Sequence, residues 1–192
     1  MINLVIPRSV LESHIFASTD GTRCAIQHVA LERVKDNMGI NVIATDGHRM
    51  NVLRIEGTLD VLLLVPAELL KDALKGAKKD SVFQLVADDK KITLVRDGTA
   101  ELVAPNRTHE YTFPAWEQVM PDKTKPNNPA KEFGIDTDYL ADLAKYLKKV
   151  GNVTSCVRIV VRGDRDPVVF EPTQLDTSVG VSLEHVIMPV RL

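Results

Sequence analysis

Three times along the chain a short apolar run stops at a proline or an Asp–Thr pair, and a helical stripe follows. Ile2–Ile6 stops at Pro7 before the helical segment Ser9–Ala17, and Val61–Val65 stops at Pro66 before Ala67–Lys78. Glu132–Ile135 stops at Asp136 and Thr137, and the helical segment Asp138–Val150 begins there. Proline, aspartate and threonine are tolerated or favoured at a helix start. Three strand-like runs follow each helix. They are Arg23–Leu31, Ile40–Thr45 and Met50–Ile55 in the first copy, and Ser81–Val86, Lys91–Val95 and Thr99–Val103 in the second. Val157–Val161, Pro167–Phe170 and Leu183–Pro189 follow in the third. The unit is therefore strand, helix and small antiparallel meander. It recurs after about sixty residues and then slightly more, as in a repeat architecture. Strand–proline–helix also occurs in unrepeated α+β proteins. The fold class predicted is α+β.

The second helix places Leu69, Leu70, Ala73, Leu74 and Ala77 on one stripe, and the third places Tyr139, Leu140, Leu143, Tyr146 and Leu147. Away from these stripes stand Lys71, Lys75, Lys78 and Lys79, and then Lys145, Lys148 and Lys149. Two readings stay open: a solvated face favoured by the helix dipole, or a shared basic surface. Net charge is −2, so a nucleic-acid binder would have to segregate its basic residues. The polar, proline-containing stretch Asp122–Ala130 reads as a linker. It separates residues 1–121, with two units, from a third at 132–192.

Hydrophobic residues make up 44% of the chain and charged ones 26%, an ordinary globular composition that does not suggest disorder. The longest apolar run, Val61–Val65, is too short to span a bilayer, and the first residues do not form a secretory signal. Cys24 and Cys156 match no metal spacing; they read as two reduced, buried thiols in a cytoplasmic protein, with a disulfide as the alternative. Asp46 and His48 could share a strand face as an acid–base pair, but no nucleophile or metal-ligand set accompanies them. His14, His28, His109 and His185 are scattered, and Gly163–Pro167 reads as a turn rather than a phosphate loop. Neither an enzyme nor a cofactor is expected.

Three stretches resemble the bacterial replicative sliding clamp, the beta subunit of DNA polymerase III. They are ATDGHRM at 44–50, FPAWEQVMP at 113–121 and VIMPVRL at 186–192. The first resembles a segment of the family's middle domain, the second the end of that domain, and the third the family's C-terminus. By this resemblance residues 1–121 form a complete middle domain, and 132–192 the second half of the last domain, joined by a linker at 122–131. The implied fold is the DNA-clamp (processivity) fold, cut to three half-domain units where the family has six.

The resemblance also implies a peptide-binding pocket. Ile26, Thr45, Gly47, His48, Arg49, Met50, Pro66 and Leu70 would form one wall, and Val186, Met188, Pro189, Val190 and Arg191 the other. Methionine and leucine suit such a use, because flexible apolar side chains accept varied ligands. Taken alone, TDGHR reads equally as a hairpin turn. The lysines Lys71, Lys75, Lys78, Lys79, Lys145, Lys148 and Lys149 are the expected DNA-facing residues. Implied partners are double-stranded DNA bound without sequence preference, DNA polymerase and other clamp-binding proteins, a clamp loader, and further copies of the chain. A family ring holds twelve half-domain units, so a tetramer is expected. The alternative expectation is an adaptor or competitor that binds peptides without forming a ring.

Overall fold

The computed structural model describes all residues except 35–38, 123, 125–132, 152–155, 164–165, 177 and 190–192, and the side chain of Ala100. The first unit opens with β1 (Ile2–Ile6) and α1 (Arg8–Glu12), which runs on as a 3-10 turn, Ser13–Phe16. Its meander is β2 (His28–Arg33), β3 (Ile40–Thr45) and β4 (Arg49–Ile55). The second unit consists of β5 (Leu63–Pro66), α2 (Ala67–Leu74), β6 (Phe83–Ala87), β7 (Lys91–Arg96) and β8 (Ala100–Pro105). The third has α3 (Thr137–Val150), β9 (Val157–Val160), β10 (Val168–Pro172) and β11 (Ser182–Ile187).

Among the described residues these strands form two antiparallel sheets, ordered β1-β6-β7-β8 and β5-β2-β3-β4-β11-β10-β9. The opening strands are exchanged. β1 belongs to the first unit in sequence but pairs with β6, while β5 belongs to the second but pairs with β2. Each meander is thus capped along one edge by the other unit, and α1 packs against α2 between them. The third unit joins differently: β11 lies antiparallel to β4 from Ser182↔Arg54 to Ile187↔Arg49, and α3 packs on α1.

Side chains alternate across this larger sheet, as a pleated strand requires. Leu53 and Ile55 of β4, with Leu183 and Ile187 of β11, face the helices and join Val10, Leu11, Phe16, Leu70 and Tyr146 in the main core. Met50, Val52 and Val186 face the other way into a smaller cluster, covered by Tyr111, Phe113, Trp116 and Met120. Deep in the main core the Tyr146 hydroxyl donates to the Ser9 carbonyl at 3.3 Å, while its ring meets Phe16 edge-on at 5.1 Å. Burial pushes that hydroxyl up to about 12, so it remains a donor.

Several sequence expectations need correction. Arg23–Leu31 is not one strand: Cys24–Gln27 forms a 3-10 turn, held where the His28 ring contacts the Cys24 carbonyl at 2.8 Å. The second helix ends at Leu74, not Lys78. Lys75 is already extended and Gly76 has φ +71, a left-handed stop that glycine makes without strain. Lys78 and Lys79 therefore lie beyond the helix. The expected third opening strand is absent among the described residues, where Gly134 makes only an isolated bridge; Glu132 and most of the linker lie outside them. Both cysteines are free, but Cys24 is half-buried and Cys156 exposed, so neither is a core thiol.

Gly180 sets up the β4–β11 join. A Cβ there would sit 2.5 Å from the Arg54 carbonyl oxygen, and the next residue, Val181, donates its N–H to that same oxygen at 2.6 Å. Gly180→Ala is expected to destabilise the fold by about 1–3 kcal/mol through this backbone clash, measured by urea denaturation against wild type.

Candidate functional site

The site grows from the β3–β4 hairpin. Asp46 accepts the backbone N–H groups of His48 and Arg49 at 2.9 and 3.1 Å, and the Thr45 hydroxyl donates to the Arg49 carbonyl at 2.7 Å. Thr45 also accepts from the Gly47 N–H at 3.1 Å. Gly47 adopts φ +94, and a Cβ on it would lie 2.8 Å from the Arg23 guanidinium. A short polar turn that satisfies its own backbone leaves His48 exposed at its tip. The His48 carbonyl then accepts the Met188 N–H at 3.0 Å, so the hairpin tip and the end of β11 touch.

Arg49 does not stand at a rim. It is 9% exposed, and its guanidinium donates to Asp46 and Asp142 at 3.0 Å each and to the Ile15 carbonyl at 3.4 Å. It also lies over the rings of Tyr139 and Phe16, 4.7 and 5.4 Å from their centroids. Arg49 thus ties β4 to α1's trailing turn and to α3. Burial works against the charge of Asp142, but hydrogen bonds from Lys145 and Arg49 outweigh it and hold the carboxyl below its usual range.

The structure gathers part of the expected pocket. Met50 and Val186 face each other in register and are buried in the smaller cluster. Met188, at 41% exposure, and half-buried Pro189 lie beyond them with His48 and Gly47 on the open side. Thr45 and Ile26 are buried, the latter in the Cys24–Gln27 turn. Two residues are not brought in. Leu70 is wholly enclosed in the main core, and Pro66 lines a different cavity of about 460 Å³ with His14, His28 and Lys71. Val190 and Arg191 lie outside the described residues.

Sequence reasoning missed a cavity on the β4–β11 seam itself. It measures about 450 Å³, and Val52, Arg54 and Glu184 form its floor with Trp116, Met120 and Pro121 above. Trp116 is fixed there by its indole N–H, which donates to Glu32 at 2.8 Å. Trp116, Met120 and Pro121 belong to the FPAWEQVMP stretch, whose resemblance marks the end of a domain and assigns it no site role.

The seven lysines are all exposed, and many are already paired. Lys71 meets Glu68 at 3.6 Å, Lys75 meets Asp72 at 2.6 Å, Lys145 meets Asp142 at 3.1 Å and Lys149 meets Glu12 at 3.0 Å. Lys148 has no carboxylate in ion-pair range among the described residues.

No protein-family model matches the sequence, and no curated protein matches it either. The structure is similar to the DNA polymerase III subunit beta of Borrelia burgdorferi, solved with a natural product, at TM-score 0.80 and 14% identity over 100% of this chain and 63% of that one. The chain has the sliding-clamp fold. The Bartonella birtlesii sliding clamp bound to griselimycin aligns at TM-score 0.75 and 14% identity, over 99% of this chain and 66% of the other. The Bacillus subtilis clamp gives 0.73 and 14%, over 100% and 64%. The chain therefore spans less than two thirds of the length of these clamps, and at this identity the likeness is one of fold.

Two measurements probe the clamp junction. Arg49→Met is expected to cost about 2–3 kcal/mol, because it strips Asp46 of its cation and leaves Asp142 with Lys145 alone; chemical denaturation reads this directly. His185 is fully buried against Phe16, their rings 4.6 Å apart, and among the described residues neither ring nitrogen has a hydrogen-bond partner. Burial, aided by Arg49, pushes it down to about 3 from 6.5. Below pH 6.5 the unfolded chain binds a proton that the folded chain refuses until about pH 3. Stability should therefore fall with pH across that window, with His185 adding up to about 1.4 kcal/mol per unit. Half-buried His14 and buried His28, also lowered by burial, act in the same direction. In His185→Phe the melting temperature should fall less steeply between pH 7 and 5; an unchanged slope would exclude His185 as a source.

Proposed function

We propose that the chain is a non-catalytic, sliding-clamp-like processivity factor: several copies close a ring around duplex DNA, and each tethers a replication or repair protein by a short peptide. The observation that carries this reading is the β4–β11 join. It draws two motifs more than a hundred residues apart onto one seam, with Met188 bonded to His48 at one end of the ladder and an open cavity towards the other. The peptide docks along that seam, using Met188, Pro189 and His48 at the hairpin end and Trp116 and Met120 over the cavity. Two of the similar clamps were solved with a natural product and with griselimycin, which supports a ligand site on this fold. Burying two apolar peptide side chains contributes roughly 3–6 kcal/mol gross. Ordering costs then leave an affinity in the micromolar range.

The ring reading uses the lysines as phosphate contacts. Their ion pairs are exposed, and such pairs are worth little, so phosphate can compete for them. The same pairing favours a second reading, a peptide-binding adaptor that forms no ring. The mass of the particle in solution separates the two.

Titration of a fluorescent peptide containing glutamine and leucine is expected to give a micromolar Kd for wild type. Met188→Ser and Trp116→Ala should each weaken it at least fivefold; equal affinity in all three would place the site elsewhere. Truncation is a poor substitute, since Val186 and Ile187 are buried and pair with β4. On circular DNA, Lys75→Gln, Lys78→Gln, Lys145→Gln and Lys148→Gln combined should abolish retention, and wild-type retention should fall steeply with salt. Retention that survives this change would leave the lysines as a solvated face.

A further inference from the structure

We propose that two copies of this chain join through their third units by exchanging opening segments about a two-fold axis, as the first and second units do within one chain. The proposal deepens the clamp reading, and its use in closing a ring rests on that reading.

The pattern is internal to the molecule. β6 is capped by β1 and β2 by β5, each cap coming from the other unit, and α1 packs on α2 across the exchange. The third unit has its own meander and helix, and among the described residues no unit exchanges an opening strand with it. β9 consequently stands at the edge of the seven-stranded sheet. An uncovered edge strand is a template for another chain.

The uncovered side is apolar. α3 turns Tyr139, Asp142, Tyr146 and Lys149 towards α1 and the hairpin, where each has a partner. A second stripe, Leu140, Leu143 and Leu147, lines an open groove of about 320 Å³ with Val157, Ile159 and Phe170 of the sheet. Ile159 is 53% exposed, and Phe133, just before α3, is 38% exposed. In the first two units the helix of the partner unit and its opening strand occupy the corresponding positions. Only a third unit has the complementary pieces, namely an α3 and a 133–135 segment, so the occupant is a second copy of this chain.

The register can be carried over. Ile6, immediately before the Pro7 cap, opposes Phe83 at the start of β6, and Leu4 opposes Leu85. Ile135 likewise precedes the Asp136 cap of α3. Transposed, Ile135 of one copy faces Val157 of the other, and Phe133 faces Ile159. Two exposed apolar side chains thereby cover each other, twice in a two-fold contact, which is the low-cost route of segment exchange.

The test uses the full chain. Sedimentation at 20–100 μM (concentrations on the order needed for contacts of this size) should show wild type in even multiples of the chain mass. Leu140→Glu with Ile159→Lys, both at exposed positions, should raise the dissociation constant at least tenfold without lowering the melting temperature. In a Cys24→Ser, Cys156→Ser background, Phe133→Cys with Ile159→Cys should give covalent dimers on oxidation. Monomeric wild type, an unchanged mass in the charged variant, or crosslinks formed only within one chain would each overturn the proposal. Peptide titration into the charged variant separates it from the functional reading. Unchanged peptide affinity with lost association supports the interface, whereas absent peptide binding in a wild type that still associates sinks the tethering reading and leaves the interface standing.

Discussion

The antiparallel ladder between β4 and β11 is the contact on which the rest of the molecule depends. It runs for six residue pairs and is fastened at both ends, by Val181 donating to the Arg54 carbonyl and by Met188 donating to the His48 carbonyl. The third unit has one helix and three strands, too little to build a core of its own. By adding β11 to β4 it borrows the first unit's sheet, and by packing α3 on α1 it borrows the first unit's helix. Leu183 and Ile187 then join the main core while Val186 joins the smaller one, so a single strand stitches both faces.

The register of that ladder is specified by polar groups as much as by apolar ones. Asn51 and His185 oppose each other on the buried helix-facing side, and Arg49 reaches from the same strand to Asp142 on α3. A one-residue slip would turn Val186 into this polar region and His185 towards Met50 and Trp116. The Ser9, Ser13 and Tyr146 hydroxyls, all buried and all within hydrogen-bond reach of a partner, add a second set of constraints around α1. Such a junction favours one arrangement of the third unit over its near alternatives, because a displacement would break the bonds that Arg49, Ser9 and Tyr146 make across it.

The meanders and helices were legible because alternation and helical stripes are local properties. Ile40–Thr45 is read to the residue, and α3 to within one. The misses have a common cause: they depend on what lies across space. Leu70 sits on a helical stripe, and that stripe signals core packing; nothing local reveals which of its leucines reaches a surface. Arg49 reads as a pocket-wall residue until Phe16, Tyr139 and Asp142, distant in sequence, close over it. The third opening strand failed because a strand needs an edge to pair with, and the exchange that supplies one to β1 and β5 has no counterpart among the described residues. Of the site, the hairpin and tail were legible as motifs, but the roof formed by Trp116 and Met120 was not, since a 3-10 turn carries no periodic signal.

Reciprocal exchange also imposes a parity on the fold. It consumes units in pairs, each lending an opening strand and receiving one, so an even number leaves every meander capped on that edge. Three units leave one over, whatever the details of its sequence. The remainder falls on the third unit, whose α3 keeps a second apolar stripe beside an edge strand, Val157–Val160, that carries exposed Ile159. The ladder to β4 satisfies only the opposite end of that unit, at β11. β9 itself is held on the sheet through β10, so among the described residues its outer edge and the groove beside it stay open. The same join that builds the seam therefore leaves β9, among the described residues, at the sheet edge where the proposed second copy would add.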